Sequence, residues 1–340
     1  MKSGLIRSPK RSRDLLLNSA IYIFLFIIIM IIVFMEPGFL SINNFSMILT
    51  QASTRLIFAL GVGSIIILGG TDLSLGRSVG MTAVVSATLL QATDYGSRVF
   101  PNLPRLPLIV PIVLVMLLSG VFSLLHGLLV AKLKIAPFIA SMGMEQIIYG
   151  ISTLYYNQIA NMTPVGSLDP AFTKMVQGAI VLGRARFNYI ILYAIGVVAI
   201  VWFIWNKTKL GKNMYAIGGN IEAAKVSGVN IVVSTIAVYF IAGLLYGFGG
   251  ALESARTGSA TSTLGASYAL DGIAACVVGG VSMRGGIGTV SGVIIGVLLF
   301  QVINYGLVFV GVSPDVQYVV KGVVILLAVA IDTQKYIANS

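Results

Sequence analysis

The chain has 340 residues, of which 57% are hydrophobic and 10% are charged. Soluble domains carry roughly 25% charged residues, so this composition is typical of a chain that lies mostly in lipid, and it excludes fibrous and disordered proteins. The net charge of +11 does not indicate nucleic-acid binding, because the basic residues stand in short runs between apolar segments.

The N-terminus joins a cluster of basic residues within positions 2–13 to an apolar run over residues 15–35. This pattern is similar to a secretory signal peptide. The run is nevertheless long enough to cross a bilayer, and no small-residue cleavage site follows it. It is therefore predicted to be a retained first membrane helix.

Ten apolar segments are candidate membrane helices, including shorter ones that glycine interrupts. They cover residues 15–35, 54–69, 76–91, 107–131, 136–156, 188–205, 231–251, 267–280, 288–310 and 316–332. The segments at 54–69, 76–91 and 267–280 are short for a full crossing, which indicates tilted or broken helices inside the bundle. The predicted fold class is an all-α membrane protein with about ten transmembrane helices in one domain, residues 1–340.

The orientation of the chain follows from the lysines and arginines in alternate connections. Fourteen lie on the side of the N-terminus and seven on the other, with Arg55 and Arg256 among the seven. Since cytoplasmic connections carry the excess of basic residues, both termini are predicted to be cytoplasmic. This requires an even number of crossings, so ten fits, while eight or twelve stays open.

Two halves of five spans would form an inverted repeat, and a weak similarity supports this architecture. At an offset of 180 residues, the Gly-Gly-Thr-Asp-Leu-Ser run at 69–74 aligns with Gly-Gly-Ala-Leu-Glu-Ser at 249–254. At a similar offset, Asn-Asn-Phe-Ser at 43–46 aligns with the region of residues 220–224. A five-plus-five inverted repeat is accordingly one hypothesis, and chance similarity in a glycine-rich chain is the other.

Polar side chains within or beside the spans are candidates for lining a path for a solute, although most polar residues in membrane helices hold helices together. The candidates are Thr71, Asp72, Ser74, Gln146, Tyr149, Ser282, Gln301, Asn304 and Tyr305. Asp72 and Arg77 are predicted to lie at an inner connection, solvated by water or headgroups. Glu145 and Lys321 fall inside spans, where proton coupling, a structural pair or contact with water would each explain them.

The single histidine and the single cysteine offer no catalytic or metal site. His126 has no second imidazole to share a metal or a triad, and Cys276 stands in an apolar stretch. Both are predicted to be structural residues of the helix bundle.

The longest predicted cytoplasmic connection, residues 206–230, contains signals for a short helix. Asn220 is a suitable N-cap, Glu222 suits the positive end of the helix, and Gly228 is a suitable terminator. Ala223, Ala224 and Val226 are predicted to form a small apolar knob that docks on a soluble partner. An ordinary amphipathic loop helix is the alternative on local physics alone.

The Gly-Gly-Asn-x-x-Ala-Ala-x-x-Ser-Gly-Val run at 218–229 resembles the coupling signature of permeases in the ribose and galactose branch of bacterial ABC sugar importers. Similar segments lie at 70–76, 153–156 and 274–282. Trp-Asn-Lys-Thr at 205–208, Gly-Lys-Asn at 211–213 and Val-Ile-Asn-Tyr-Gly-Leu at 302–307 are most similar to the galactose and methyl-galactoside branch. The resemblance covers nearly the whole chain.

The resemblance implies a multi-pass inner-membrane permease that imports a monosaccharide, galactose or methyl-galactoside before ribose or another sugar. It also implies a second permease copy, an ABC ATPase subunit and a periplasmic sugar-binding protein, which would meet the outer loop at 157–187. The residues expected to couple to the ATPase are Gly218, Gly219, Asn220, Glu222, Ala223, Ala224, Lys225, Ser227 and Gly228.

No cofactor is expected on this chain, because it has no phosphate-binding G-x-x-x-x-G-K-[ST] loop, so ATP is expected to be used by the partner subunit. An ion-coupled secondary transporter is the main rival, since such proteins also use inverted repeats and broken helices. A membrane enzyme is a weaker rival, because no paired carboxylates, metal ligands or nucleophile-base set share a predicted face.

Overall fold

The computed structural model describes residues 23–159, 163–183 and 185–337, and helices dominate these ranges. A short 3₁₀ helix at Pro37–Leu40 and one two-stranded antiparallel sheet accompany them. The elements in chain order are α1 (Ile23–Met35), α2 (Ile42–Ile67), α3 (Leu75–Leu89), α4 (Ile109–Ala131), α5 (Pro137–Ile159), α6 (Pro170–Gln177), β1 (Ala179–Leu182), β2 (Ala185–Asn188), α7 (Ile190–Lys207), α8 (Lys209–Gly219), α9 (Ile221–Val226), α10 (Ile231–Thr257), α11 (Tyr268–Val278), α12 (Val290–Phe309) and α13 (Pro314–Ile337).

The predicted helical membrane class is confirmed in its main feature, since helices predominate, although the described residues also contain one two-stranded sheet. Among the described residues, α2, α4, α7, α10 and α12 are long and apolar enough to cross a membrane. α3 and α11 are short, with 15 and 11 residues, and α5 and α13 carry charged side chains. The count of ten crossings and the cytoplasmic termini remain predictions. Residues 15–22 of the predicted first span, with the basic cluster before it, lie outside the described ranges.

The second span begins twelve residues earlier than predicted, and this corrects the position of Arg55. The Ser41 side chain caps α2 by accepting from the Asn44 N–H, and the helix then continues to Ile67. The hydroxyls of Thr50 and Ser53 donate to carbonyls of the same helix, so these polar residues do not end it. Arg55 therefore lies at the middle of α2 and not in an outer connection.

The core of the bundle lies where α10 packs against α2, α3 and α4. Its largest fully buried side chains include Tyr239 and Tyr246 from α10 and Phe58 from α2. Trp205 on α7 donates its indole N–H to the Ser64 hydroxyl on α2 at 3.0 Å, which ties a fifth helix to this core. Close packing and hydrogen bonds between helices, such as this one, hold membrane bundles together where no hydrophobic driving force acts between helices.

The two longest helices both end in left-handed glycines and lead into non-helical segments. Gly69 follows α2 with φ +93°, and Gly258 follows α10 with φ +74°. After these breaks the chain approaches itself at Gly76, where a Cβ would lie 2.5 Å from the Gly265 carbonyl oxygen. The short helices α3 and α11 thus begin at a mutual contact inside the bundle, as predicted for broken segments.

The connections group on two faces in the way that the alternating orientation predicts. On one face the Gly286 N–H donates to the Ile67 carbonyl at 2.7 Å, which joins the end of α2 to the loop before α12. On the other face Val165 forms a bridge with Ala260, and Ser46 donates to the Arg186 carbonyl. We call these the inner and outer faces, following the predicted orientation.

The similarity at an offset of about 180 residues does not pair equivalent structures. Residues 69–74 form the non-helical connection after α2, whereas residues 249–254 lie within α10. This correction concerns only the alignment that the sequence suggested. Glycine-rich runs occur both in helix interfaces and in turns, which explains why the sequence alone could not distinguish them.

The described part of the outer loop contains regular structure that the sequence analysis did not predict. It contains α6 and the β1–β2 hairpin, in which Ala179 pairs with Asn188. The Asp169 side chain caps α6 at the Ala171 N–H and binds Arg105 through two hydrogen bonds of 2.7 and 3.0 Å. Burial alone would raise the pKa of Asp169, but the hydrogen bonds from Arg105 and Ala171 hold it below the usual value.

Candidate functional site

The connection at 206–230 contains two short helices, of which the sequence predicted the second. The Thr208 side chain caps α8 at the Gly211 N–H, and Asn220 caps α9 by accepting from the Ala223 N–H at 2.9 Å. Gly228 ends the segment with φ +79°. The predicted capping roles of Asn220 and Gly228 are confirmed, while α8 was not predicted.

The exposed apolar surface of α9 differs from the predicted knob. Ala224 is only 3% exposed and packs against the bundle, so it does not belong to the free surface. Val226 is 89% exposed, and Ile221 and Ala223 are exposed beside it. The knob therefore consists of Ile221, Ala223 and Val226, because a helix this short can point only one side at the bundle. Glu222, Lys225, Ser227 and Gly228 surround it and are exposed.

Helix α8 fixes α9 to the inner ends of the membrane helices. Met214 and Ile217 of α8 are buried, and the Tyr215 hydroxyl donates to the Gly288 carbonyl at 2.9 Å. Burial raises the pKa of Tyr215 above its ordinary value. A Cβ at Gly218 would overlap the Ile67 carbonyl oxygen, so only glycine allows this approach. Helix α8 thus joins α9 to the end of α2 through a close backbone contact.

A cavity of about 730 Å³ separates α9 from the α4–α5 turn and the start of α10. Lys134, Glu222 and Lys225 line its rim, and Thr235 and Tyr239 lie on its wall. Tyr239 also packs its ring against His126, with 4.6 Å between ring centroids. The cavity therefore adjoins a polar cluster in the core.

That cluster contains Asp72. The sequence analysis predicted Asp72 to be solvated by water or headgroups, and this prediction is wrong. Asp72 is fully buried, and its Oδ1 accepts from the backbone N–H and the hydroxyl of Ser74 at 2.9 and 2.6 Å. His126 Nδ1 on α4 lies 3.6 Å from the same oxygen, and both side chains are 0% exposed. Thr71 is half-buried beside them. His126 is buried in the bundle, and the sequence analysis did not predict its contact with a carboxylate.

Arg77 and Glu145 form a second polar cluster, also away from the predicted inner connection. The Arg77 Nε atom lies 3.4 Å from Glu145 Oε1, which links α3 to α5. The Arg77 guanidinium stands 4.3 Å above the centre of the Tyr149 ring. Gln146 and Tyr149 are exposed on the same helix, so two predicted path residues lie on an outward surface of α5.

A third cluster joins three helices around Asp271 on α11. Asp271 Oδ2 lies 3.3 Å from both Arg55 Nη1 on α2 and Lys321 Nζ on α13. The Arg55 guanidinium covers the Tyr268 ring at 3.3 Å. Lys321 therefore has an ion-pair partner, which agrees with the structural pair that was one of the three explanations for it.

Tyr268 extends this cluster to the outer end of α10. Its hydroxyl donates to Glu253 Oε1 at 2.7 Å. Arg256 binds the Glu253 carboxylate through two hydrogen bonds of 2.8 Å. The sequence interpretation assigned Arg256 to an outer connection and did not single out Glu253 or Asp271. Each is an acidic residue within or beside an apolar stretch, and this pattern could have identified both from the sequence.

The predicted path residues on α12 lie beside the third cluster. Gln301 donates to the Gln51 side chain at 2.8 Å, and the Tyr305 hydroxyl lies 2.9 Å from Asn44 Oδ1. Gln301 and Asn304 line a small cavity together with residues of the third cluster. Ser282 instead lies in the inner loop after α11, where its hydroxyl accepts from the Arg284 N–H. The structure therefore distributes the predicted path residues over several places.

Comparisons with known proteins give a consistent result. The model of the family described as "branched-chain amino acid transport system / permease component" matches residues 44–329. The chain is 50% identical to the galactose/methyl galactoside import permease protein of Escherichia coli K12, over 94% of this chain and 95% of the relative. The corresponding protein of Haemophilus influenzae is 52% identical over 96% and 97%.

A relative with another printed substrate is more distant. The ribose import permease protein of Escherichia coli K12 is 34% identical, over 92% of this chain and 92% of the relative. No solved structure matches the chain. The chain is therefore more similar in sequence to these two galactose/methyl galactoside permeases than to this ribose permease.

Proposed function

Because the chain belongs to the permease-component family of branched-chain amino acid transport systems, we propose that it is the membrane permease of an ATP-driven importer of galactose or methyl galactoside. The observation that carries the proposal is the identity of about one half to galactose permeases over nearly the full chain. The protein is a multi-pass inner-membrane protein, and its family is not itself catalytic.

The two rival functions have less support. Ribose import rests on relatives that are 34% identical, well below the galactose permeases. Ion coupling rested on Glu145 and Lys321, and both carry an ion-pair partner of opposite charge. A structural ion pair is therefore a sufficient explanation for both residues.

Helix α9 is the element that we assign to coupling with the ATPase subunit. Its exposed knob presents a compact apolar surface on the inner face, and α8 fixes it rigidly to α2. Grooves that receive a short apolar helix are a common recognition mode. ATP binding and hydrolysis take place on the separate subunit, and the resulting movement reaches the bundle through α9 and α8.

The outer loop is the surface that we assign to the sugar-binding protein. The β1–β2 hairpin exposes three apolar side chains, Ile180, Val181 and Leu182. Exposed apolar patches of this kind often mark interaction sites. The loop is anchored to the bundle by the bridge between Val165 and Ala260, so contact there reaches the segment before α11.

Two copies of the chain form the working transporter in this proposal. On α5, Gly143 and Gly150 face open space, with nothing within 4 Å of an added Cβ. Small residues on an exposed face of a membrane helix permit close approach of another helix. The second copy would also shield the polar Gln146 side chain from lipid.

The five-plus-five inverted repeat is retained with a different alignment. Ile231 follows Ile42 by 189 residues at the starts of α10 and α2, and Gly258 follows Gly69 by the same number at their ends. The half-length helices α11 and α3 come next, and a pair of longer helices completes each half. Equal order and similar lengths support two halves related by a pseudo-two-fold axis.

Uptake in cells that contain the partner ATPase and binding protein, but no other galactose transporter, tests the proposed substrate. Labelled galactose is expected to accumulate, and excess methyl galactoside is expected to suppress this uptake far more strongly than excess ribose. ATP depletion should stop uptake, whereas collapse of the proton gradient with ATP maintained should not. Stronger competition by ribose would assign the chain to ribose, and the reverse energy dependence would indicate ion coupling.

A further inference from the structure

The two half-length helices each carry one charge near their starts, and each charge is paired on the last helix of its half. Arg77 of α3 pairs with Glu145 of α5 at 3.4 Å, and Asp271 of α11 pairs with Lys321 of α13 at 3.3 Å. Arg77 lies two residues after α3 begins, and Asp271 lies three residues after α11 begins.

The partners also lie at similar distances from the starts of their helices, and each pair adjoins a tyrosine. Glu145 lies eight residues after the start of α5, and Lys321 lies seven residues after the start of α13. In each half the cation adjoins a tyrosine of the last helix: Arg77 lies 4.3 Å from the Tyr149 ring and Lys321 lies 5.9 Å from the Tyr318 ring. The two pairs therefore occupy similar places along the helices of the two halves, with the signs of the charges exchanged. The tyrosines differ in position, twelve residues after the start of α5 and four residues after the start of α13.

Both pairs lie deep in the membrane region and not at its surfaces. Arg55, which reaches Asp271, stands at the middle of α2, a helix that runs from the outer to the inner face. Gly76, next to Arg77, contacts Gly265 in the turn before α11. The starts of α3 and α11 therefore share one depth, near the middle of the bundle.

Neither pair is sealed inside the chain. The side chains of Arg77 and Glu145 are 22% and 25% exposed, and that of Lys321 is 19% exposed. Partly exposed charges at this depth are costly against lipid and are found where membrane proteins face water or polar protein. The exposed tyrosines beside them, Tyr149 and Tyr318, continue the same two surfaces.

We infer that the two ion pairs and their tyrosines line the water-filled path that the sugar takes through the membrane. This inference rests on the proposed sugar-permease function. Carboxylates, guanidinium and ammonium groups hydrogen-bond sugar hydroxyl groups, while a tyrosine ring packs against the apolar C–H face of the sugar. Because each charge already has a partner, the sugar meets weak, repeated contacts rather than one deep binding site, as conduction requires.

Thiol labelling of the assembled transporter tests this inference. Cys276 is replaced by alanine to remove the native thiol, and single cysteines are introduced as Tyr149→Cys and Tyr318→Cys. Ile151→Cys and Val323→Cys are the controls, since Ile151 lies two residues after Tyr149 and Val323 two residues after Lys321, so each points to another side of its helix and is also exposed. A charged, membrane-impermeant methanethiosulfonate reagent is applied in vesicles that contain the ATPase and the binding protein.

The tyrosine positions are expected to react at least about ten-fold faster than the controls, because a thiol in lipid does not form the reactive thiolate. Galactose is expected to slow their labelling and leave the controls unchanged. Equal rates at all four positions, with each variant present at normal levels, would overturn the inference. Fast labelling that ribose slows and galactose does not would keep the water path and contradict the proposed substrate instead.

Discussion

A Val226→Asp variant is expected to lose most galactose uptake while its amount in the membrane stays unchanged. Val226 is 89% exposed on α9, so its side chain packs little against the rest of the chain. In a complex with the ATPase subunit, the new carboxylate would be buried without a partner, which costs about 2 kcal/mol or more at the centre of an interface. About 2 kcal/mol corresponds to a roughly thirty-fold weaker contact.

Uptake of labelled galactose and retention of the ATPase subunit on purified permease both measure this effect. Leu133→Asp is the matched control, because Leu133 is an exposed apolar residue, 66% accessible, in the α4–α5 turn outside α9. Normal uptake by the Val226 variant would remove the coupling role of α9. Ala224 is less suitable for this test, since it is buried and its substitution would disturb packing as well as coupling.

A Glu253→Ala variant is expected to destabilise the folded bundle more than any surface substitution. Glu253 is 0% exposed and binds both Arg256 and Tyr268 at 2.7–2.8 Å. Its removal leaves the largely buried Arg256 guanidinium without a counter-charge, and breaking such a pair costs about 3–5 kcal/mol. Thermal unfolding of the purified protein in detergent measures the loss.

Two further variants separate the charge from the lost packing. Glu253→Ala combined with Arg256→Ala should recover part of the stability, because no uncompensated charge then stays buried. Asp315→Ala serves as a surface control, since Asp315 is exposed in the first turn of α13. A Glu253→Ala protein that unfolds at the same temperature as the control would show that the pair contributes nothing to stability.

Local signals explain what could be predicted from the sequence. The N-cap Asn220 and the terminator Gly228 act within α9 itself, so the short helix followed from a stretch of nine residues. Apolar length likewise indicated a helix at each predicted span. The helical class and the inner-face segment therefore did not depend on knowing the tertiary structure.

Contacts between distant segments explain what could not be predicted. Arg55 and Asp271 meet although they are 216 residues apart, and nothing near either residue indicates the other. Asp72 follows a glycine turn that resembles an exposed connection, but the break in α2 leaves it buried against His126 of α4. The start of α2 was misplaced because buried hydroxyls that bond their own helix look polar in sequence.

The most direct measurement of the central claim uses proteoliposomes that contain this permease with its ATPase subunit. ATP is supplied on the side of α9 and the loaded sugar-binding protein on the side of the β1–β2 hairpin. Galactose is predicted to cross toward the ATP side only when ATP and the binding protein are both present, and the Val226→Asp permease should fail to transport it. Galactose movement that needs neither ATP nor the partners, or that persists unchanged in this variant, would contradict the account.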